Sequence, residues 1–250
     1  IRISSGNRQR LLLLYSRRRR KDKIMDKCDK YFNQKLKENY TYITAHTGCE
    51  GTPWNSIEHI EAALSSGAEI VEIDIQNDGE LLYLSHDAVD DPASRPELKT
   101  CFEMVRPYKS VLINCDVKHF GLVKPVIELA KRMSVADRIH FTGQVSNEDA
   151  QFLKESGEIS GWWNSIFPSA DNYARLREAV AYLNGYNRDR VICVEYHMVT
   201  PELLEYVRQN GYNFTVWTVD EDEDLKRMMG MGLVNITTKR PIRALEIRKQ

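Results

Sequence analysis

The run Glu69-Ile70-Val71-Glu72-Ile73-Asp74-Ile75-Gln76, continued by Asn77-Asp78-Gly79, decides how this chain folds. Val71, Ile73 and Ile75 alternate with Glu72 and Asp74, and a two-residue alternation of β-branched and polar side chains marks a strand. Residues at i and i+2 of a strand share a side, so Glu72 and Asp74 point the same way. A carboxylate on a face packed by helices is costly without a partner. The acids therefore face a barrel mouth and the aliphatic residues a covering layer. Asp78-Gly79 is a hairpin signal, so Leu81–Ser85 folds back beside this strand instead of joining the ring.

Working outward, the sequence predicts strands at Tyr42–His46, Glu69–Gln76, Val111–Val117, Arg138–Thr142, Glu158–Trp163, Val191–Tyr196, Asn213–Val219 and Val234–Thr237. Helical spacing of apolar residues predicts helices over Ser56–Ser66, Leu122–Met133, Asn147–Glu155, Asn172–Asn184, Pro201–Asn210 and Asp220–Met231. Thr200 before Pro201 is a helix start, and Gly67, Gly211 and Gly232 are stops. Strands alternating with helices in a chain of 250 residues predict a (β/α)₈ TIM barrel. The competing architecture is an open doubly wound sheet, but no Gly-rich phosphate loop follows any strand.

Composition agrees with one folded body: 42% of residues are hydrophobic and 28% charged, which excludes a fibrous or largely disordered chain. No apolar stretch approaches the roughly 18 residues that span a bilayer, so no integral membrane association is expected. Residues 1–24 carry nine basic side chains against one acid, Asp22, and leave the other 226 residues at −9. That acidic body argues against a nucleic-acid partner. The leader is read as a solvated or non-native segment ahead of a single domain over 25–250, with Met25 a natural initiator. Five scattered cysteines without a CxxC pair point to a reducing compartment, the cytoplasm.

Chemistry in a barrel collects at the carboxyl ends of the strands. There the sequence places Ala45-His46-Thr47-Gly48, the Glu72/Asp74 pair, Ser85-His86-Asp87 and Asn114-Cys115-Asp116-Val117-Lys118. Three acids from neighbouring strands, Glu72, Asp74 and Asp116, form an all-oxygen set that suits a hard divalent cation, Mg²⁺ or Ca²⁺. His46 and His86 can divide general-base and general-acid work near neutral pH. Lys118 adds a charge for a phosphate oxygen. Glu195 is a candidate for the rim. His59, His119, His140 and His197 are read as core or surface, and no cysteine as a nucleophile; Cys115, between two inward residues, should face outward.

His46-Thr47-Gly48, Pro53-Trp54-Asn55-Ser56, Gly67-Ala68, Glu72-Ile73-Asp74, Asp78-Gly79 and His86-Asp87, taken in this order, resemble the glycerophosphodiester phosphodiesterase family. Asn213–Val219, with its Trp217-Thr218-Val219 ending, and Thr237-Thr238-Lys239-Arg240-Pro241 continue the resemblance to Pro241. It implies a phospholipase C-like phosphodiesterase barrel that cleaves a small phosphodiester to glycerol phosphate and an alcohol. It further implies catalytic roles for His46 and His86, metal ligation by Glu72, Asp74 and Asp116, and substrate contacts from Lys118 and Trp217. Thr47, expected with Glu195 to add substrate contacts, stands where the family has an arginine, Trp54 and Lys239 where it has acids, and Asp116 where it generally has glutamate. These departures keep two alternatives: a sphingomyelinase D-like lipid phosphodiesterase, and a barrel that binds a phosphorylated ligand with little turnover.

Overall fold

In a computed structural model, residues 40–156, 160–161, 163–164 and 190–250 are described. The basic leader, Met25, Cys28, Trp162 and the helix predicted over 172–184 lie outside the described residues. Within them the order is β1 (Tyr42–Ala45), α1 (Ile57–Ser66), β2 (Ile70–Asn77), β3 (Leu82–Leu84), α2 (Leu98–Val105), β4 (Leu112–Val117) and α3 (Val123–Arg132). There follow β5 (Ile139–Gly143), α4 (Asn147–Ser156), β6 (Ser160–Gly161), β7 (Trp163–Asn164) and β8 (Val191–Glu195). The chain ends with α5 (Pro201–Gln209), β9 (Asn213–Trp217), α6 (Asp222–Gly230), β10 (Asn235–Thr238) and α7 (Pro241–Arg248).

The strands run in the order β6-β5-β4-β2-β1-β10-β9-β8-β7 and pair in parallel throughout. Its two ends, β6 and β7, are pieces of the single run predicted over Glu158–Trp163, so the ring is a nearly closed barrel. The Asp-Gly hairpin forms as expected: β3 pairs antiparallel with β2 alone, outside the ring.

Local chemistry explains the helices. Ser56 caps α1 by accepting the His59 N–H at 3.1 Å, and Gly67 ends it at φ 85°. Thr200 caps α5 through the Leu203 N–H, with Pro201 opening the helix. Two helices go beyond the sequence reading. In α2, Leu98, Cys101, Phe102 and Val105 form a buried stripe at helical spacing, and α7 begins on Pro241 and buries Ala244 and Ile247. Arg248 of α7 reaches back to Glu69 at the start of β2 with contacts of 2.8 and 3.1 Å.

Alternation on the strands sorts the side chains. Val71, Ile73, Ile75, Ile113, Cys115 and Val117 belong to the layer packed beneath the helices. Burial of each large aliphatic there contributes roughly 1.5–3 kcal/mol. Inside the ring the opposite parity includes polar residues that bond to one another across the strands. Thr44 donates to Asn235 Oδ1 at 2.8 Å, and Asn235 Nδ2 donates to Thr215 at 2.9 Å. A hydrogen-bonded interior layer of this kind fixes neighbouring strands against each other. Among the described residues no helix is long and apolar enough to cross a membrane.

Candidate active site

The parallel register of β2 and β4 sets Glu72 opposite Asn114 and Asp74 opposite Asp116. Inward parity on both strands then gathers Glu72, Asp74 and Asp116, with one ligand oxygen from each lying within 4.8 Å of the others. Each carboxylate is braced. Thr47 N–H donates to Glu72 Oε2 at 2.8 Å. Asn55 grips Asp74 twice, its Nδ2 donating to Oδ2 at 2.8 Å and its Oδ1 accepting the Asp74 N–H at 3.0 Å. Thr142 Oγ1 lies 3.1 Å from Asp116 Oδ1. Lys118 Nζ sits 2.7 Å from Asp74 Oδ1 and 2.5 Å from Asp116 Oδ2.

Three acids with one ammonium leave the cluster short of positive charge. Burial, reinforced by Asp74 and Asp116, pushes the Glu72 carboxyl well above the usual carboxylate range. Burial also opposes ionisation of Asp74, but Lys118 and the Asn55 amide outweigh it and hold that group low. Buried carboxylates with oxygen donors only, and a charge deficit, fit a hard divalent cation. Gly143 makes room for the cluster: its φ is 87°, and a Cβ there would collide with Asp116 Oδ1 and the Val117 carbonyl.

His46 follows β1, and its Nδ1 lies 2.9 Å from the Thr47 carbonyl oxygen. A carbonyl only accepts, so Nδ1 carries the proton and Nε2 the lone pair. Burial lowers the pKa of this imidazole, only partly opposed by that hydrogen bond. His86 follows β3, is more exposed, and places Nδ1 3.0 Å from Asp87 Oδ1. Gln76, two residues beyond Asp74 on the same strand face, donates to the His86 carbonyl at 3.0 Å and steadies that loop.

Both imidazoles line one cavity of about 730 Å³ together with the three acids, Lys118, Trp54, Trp217 and Lys239. Trp54 meets His46 and His86 edge to face, with ring centroids 6.0 and 6.3 Å away. Gly48 permits this, since a Cβ there would lie 2.5 Å from Trp54 Cδ1. The cavity thus brings together seven of the nine residues proposed from sequence: His46, His86, Glu72, Asp74, Asp116, Lys118 and Trp217.

Thr47 and Glu195 differ from the expectation of substrate contact. Thr47 is fully buried, and its hydroxyl accepts the Asn55 N–H at 2.7 Å, away from the cavity wall. Glu195 ends β8 where the chain turns, and its carboxylate is taken by the His197 N–H at 3.1 Å and His197 Nδ1 at 2.6 Å. His59 is a core residue, as expected, but has structural work: Nε2 donates to the Glu72 carbonyl at 2.9 Å, and Nδ1 lies 3.5 Å from Cys49 Sγ. Cys115 packs outward, and burial pushes the Cys49 and Cys101 thiols up to about 12. Asn55, Gln76, Trp54 and Lys239 are site residues the sequence reading gave no role. Two of them carried a signal: Gln76 has the strand parity of Glu72 and Asp74, and Asn55 is an Asx residue in the turn just before a capped helix.

No protein-family model matches the chain. A protein named glycerophosphodiester phosphodiesterase from Caldanaerobacter subterraneus subsp. tengcongensis is 23% identical, over 80% of this chain and 95% of that protein. Among solved structures, a putative glycerophosphoryl diester phosphodiesterase from Agrobacterium tumefaciens superposes with a TM-score of 0.71 at 18% identity, covering 84% and 97% of the two chains. An Oleispira antarctica phosphodiesterase, solved with its product sn-glycerol-3-phosphate, gives 0.67 at 16% identity over 86% and 99%. These structures share the barrel.

Proposed function

We propose that this chain, a divergent relative of the glycerophosphodiester phosphodiesterases, hydrolyses a glycerophosphodiester to a glycerol phosphate and an alcohol with the help of a divalent cation. The observation that carries the reading is the acidic triad beside two imidazoles that both flank Trp54 in one cavity.

Glu72, Asp74 and Asp116 would hold the cation, Mg²⁺ or Ca²⁺. When bound it supplies Lewis acidity to the hydroxyl beside the phosphate and to the phosphate oxygens. His46 is the general base: burial keeps it neutral, and the Thr47 carbonyl fixes the tautomer with a free Nε2. His86 is left as the proton donor to the departing alcohol, its ring oriented by Asp87 and its loop by Gln76; attack by the neighbouring hydroxyl leaves a cyclic phosphate, which water opens to the glycerol phosphate with the two imidazoles exchanging roles. Lys118 and Trp217 contact the substrate, the lysine through a phosphate oxygen and the tryptophan as a wall.

The test is a panel of glycerophosphocholine, glycerophosphoethanolamine, lysophosphatidylcholine and sphingomyelin, each with Mg²⁺, Ca²⁺ or chelator. Metal-dependent release of glycerol phosphate from the first two, lost in His46→Ala and Glu72→Ala, is the expected result. Turnover of the two lipids alone would replace it by the phospholipase D-like reaction. Turnover unaffected by chelator would remove the cation.

A further inference from the structure

The cavity holds two lysines, and they differ in kind. Lys118 is neutralised by Asp74 and Asp116. Lys239, in the loop after β10, has no carboxylate within ion-pair distance of its ammonium among the described residues. Its Nζ rests 4.4 Å from the centroid of the Trp54 ring. A partly buried cation parked on an aromatic face retains its attraction for an anion, because the ring's quadrupole holds it without cancelling its charge.

This lysine is also placed with care. Its N–H donates to Asp220 Oδ1 at 2.8 Å, and its carbonyl accepts the Glu50 N–H at 2.8 Å. The preceding carbonyl, that of Thr238, accepts the His46 N–H at 2.9 Å, so the loop is joined to the backbone of a proposed catalytic histidine. The same indole that seats the ammonium touches both imidazoles by its edges. The cation therefore lines the same cavity as Lys118 from the β10 side, on the indole that both imidazoles meet.

We propose that Lys239, seated on Trp54, is an anion-binding residue that grips a non-bridging phosphate oxygen of the substrate from the β10 side. Its charge supplies phosphate contact at the wall where the buried Thr47 supplies none. The inference rests on the phosphodiesterase reading for the identity of the substrate, but the anion site can be measured without turnover.

The experiment titrates wild type, Lys239→Met and Lys239→Arg with sn-glycerol 3-phosphate and with inorganic phosphate by calorimetry, in Ca²⁺ and in chelator. KM and kcat for glycerophosphocholine and the melting temperature are measured on the same preparations. Loss of one charge-assisted hydrogen bond predicts about tenfold weaker binding of both anions by Lys239→Met. The KM should rise by a similar factor, with kcat moving far less and an unchanged melting temperature. Lys239→Arg should recover most of the affinity. Equal anion affinity in wild type and Lys239→Met overturns the proposal, as does a wild type that binds neither anion. If the wild type binds phosphate through Lys239 but hydrolyses no diester, the anion site stands and the phosphodiesterase reading falls.

Discussion

Replacing Glu72 by glutamine tests whether the acidic triad is a cation site or merely a hydrogen-bonded network. Its ligand oxygen lies within 4.8 Å of those of Asp74 and Asp116. At an effective dielectric near 20, each like-charge pair at that separation repels by about 3 kcal/mol. Lys118, held between the two aspartates, offsets roughly one of the two repulsions. Glutamine keeps the shape of the protonated acid and still accepts the Thr47 N–H, so the substitution relieves about 3 kcal/mol in the metal-free protein at pH 8. For a chain of this size that corresponds to a melting temperature roughly 6–12 °C higher in chelator.

The sign with pH follows from the raised carboxyl. Folded Glu72 holds its proton at pH values where the unfolded residue has lost it, so its effect on stability is absent at low pH. Stability is lost as pH climbs above about 4.5, the ordinary glutamate range. The gain from Glu72→Gln should therefore shrink toward pH 5 and grow toward pH 8. In Ca²⁺ the order reverses: wild type gains stability from the ion by mass action, and the variant, with one ligand charge gone, gains little. Differential scanning fluorimetry across pH, with chelator and with Ca²⁺, reads all of this. A variant no more stable than wild type in chelator at pH 8 would refute the electrostatic account of the triad.

Gly143→Ala should distort the cluster, because the new methyl meets Asp116 Oδ1 and the Val117 carbonyl at a φ of 87°; the expected loss is about 2–4 kcal/mol of stability with most of the Ca²⁺ response, read by urea titration. Asn55→Ala removes both hydrogen bonds to Asp74 from a residue held at φ 54°, and a hydrolysis rate at least tenfold below wild type is expected in a glycerophosphodiester assay. Burial drops His59 to about 4, so the folded state carries fewer protons than the unfolded one between that value and 6.5. Its contribution is complete above pH 6.5 and about 3 kcal/mol is lost as pH falls through that window, so His59→Gln should flatten the stability profile there; an unaltered slope in denaturant melts would contradict this.

What the sequence revealed and what it hid divide along a physical line. Strand parity is a local property, so Glu72, Asp74 and Asp116 could be assigned one common side from spacing, and the register of β2 against β4 brings them together. Gln76 shares that parity and lay within the same argument. The stripe in α2 was also legible, but it is short and sits in a segment whose Pro and Asp residues suggest a loop. Loop conformation is a different matter. Thr47 turns inward because Asn55, at positive φ, presents its N–H to the hydroxyl, and no periodicity encodes that. Glu195 has the parity of a cavity residue, yet the turn after β8 gives its carboxylate to His197. Lys239 depends on the packing of two other segments, the connection from β1 to α1 that bears Glu50 and Trp54 and the turn that bears Asp220.

The two lysines also separate two tasks that a single cation could not perform at once. In the arrangement described here Lys118 is committed to Asp74 and Asp116, and its charge is spent holding two buried carboxylates together. An incoming phosphate that drew on this ammonium would have to leave those carboxylates uncompensated, which is costly in a buried site. A divalent cation held by Glu72, Asp74 and Asp116 would ease that conflict by taking over part of the neutralisation of the acids. Lys239 faces no such conflict, having the indole of Trp54 as its seat and no acid as partner among the described residues. Anion affinity in chelator should accordingly depend on Lys239 with little contribution from Lys118, while in the presence of the cation both lysines should count.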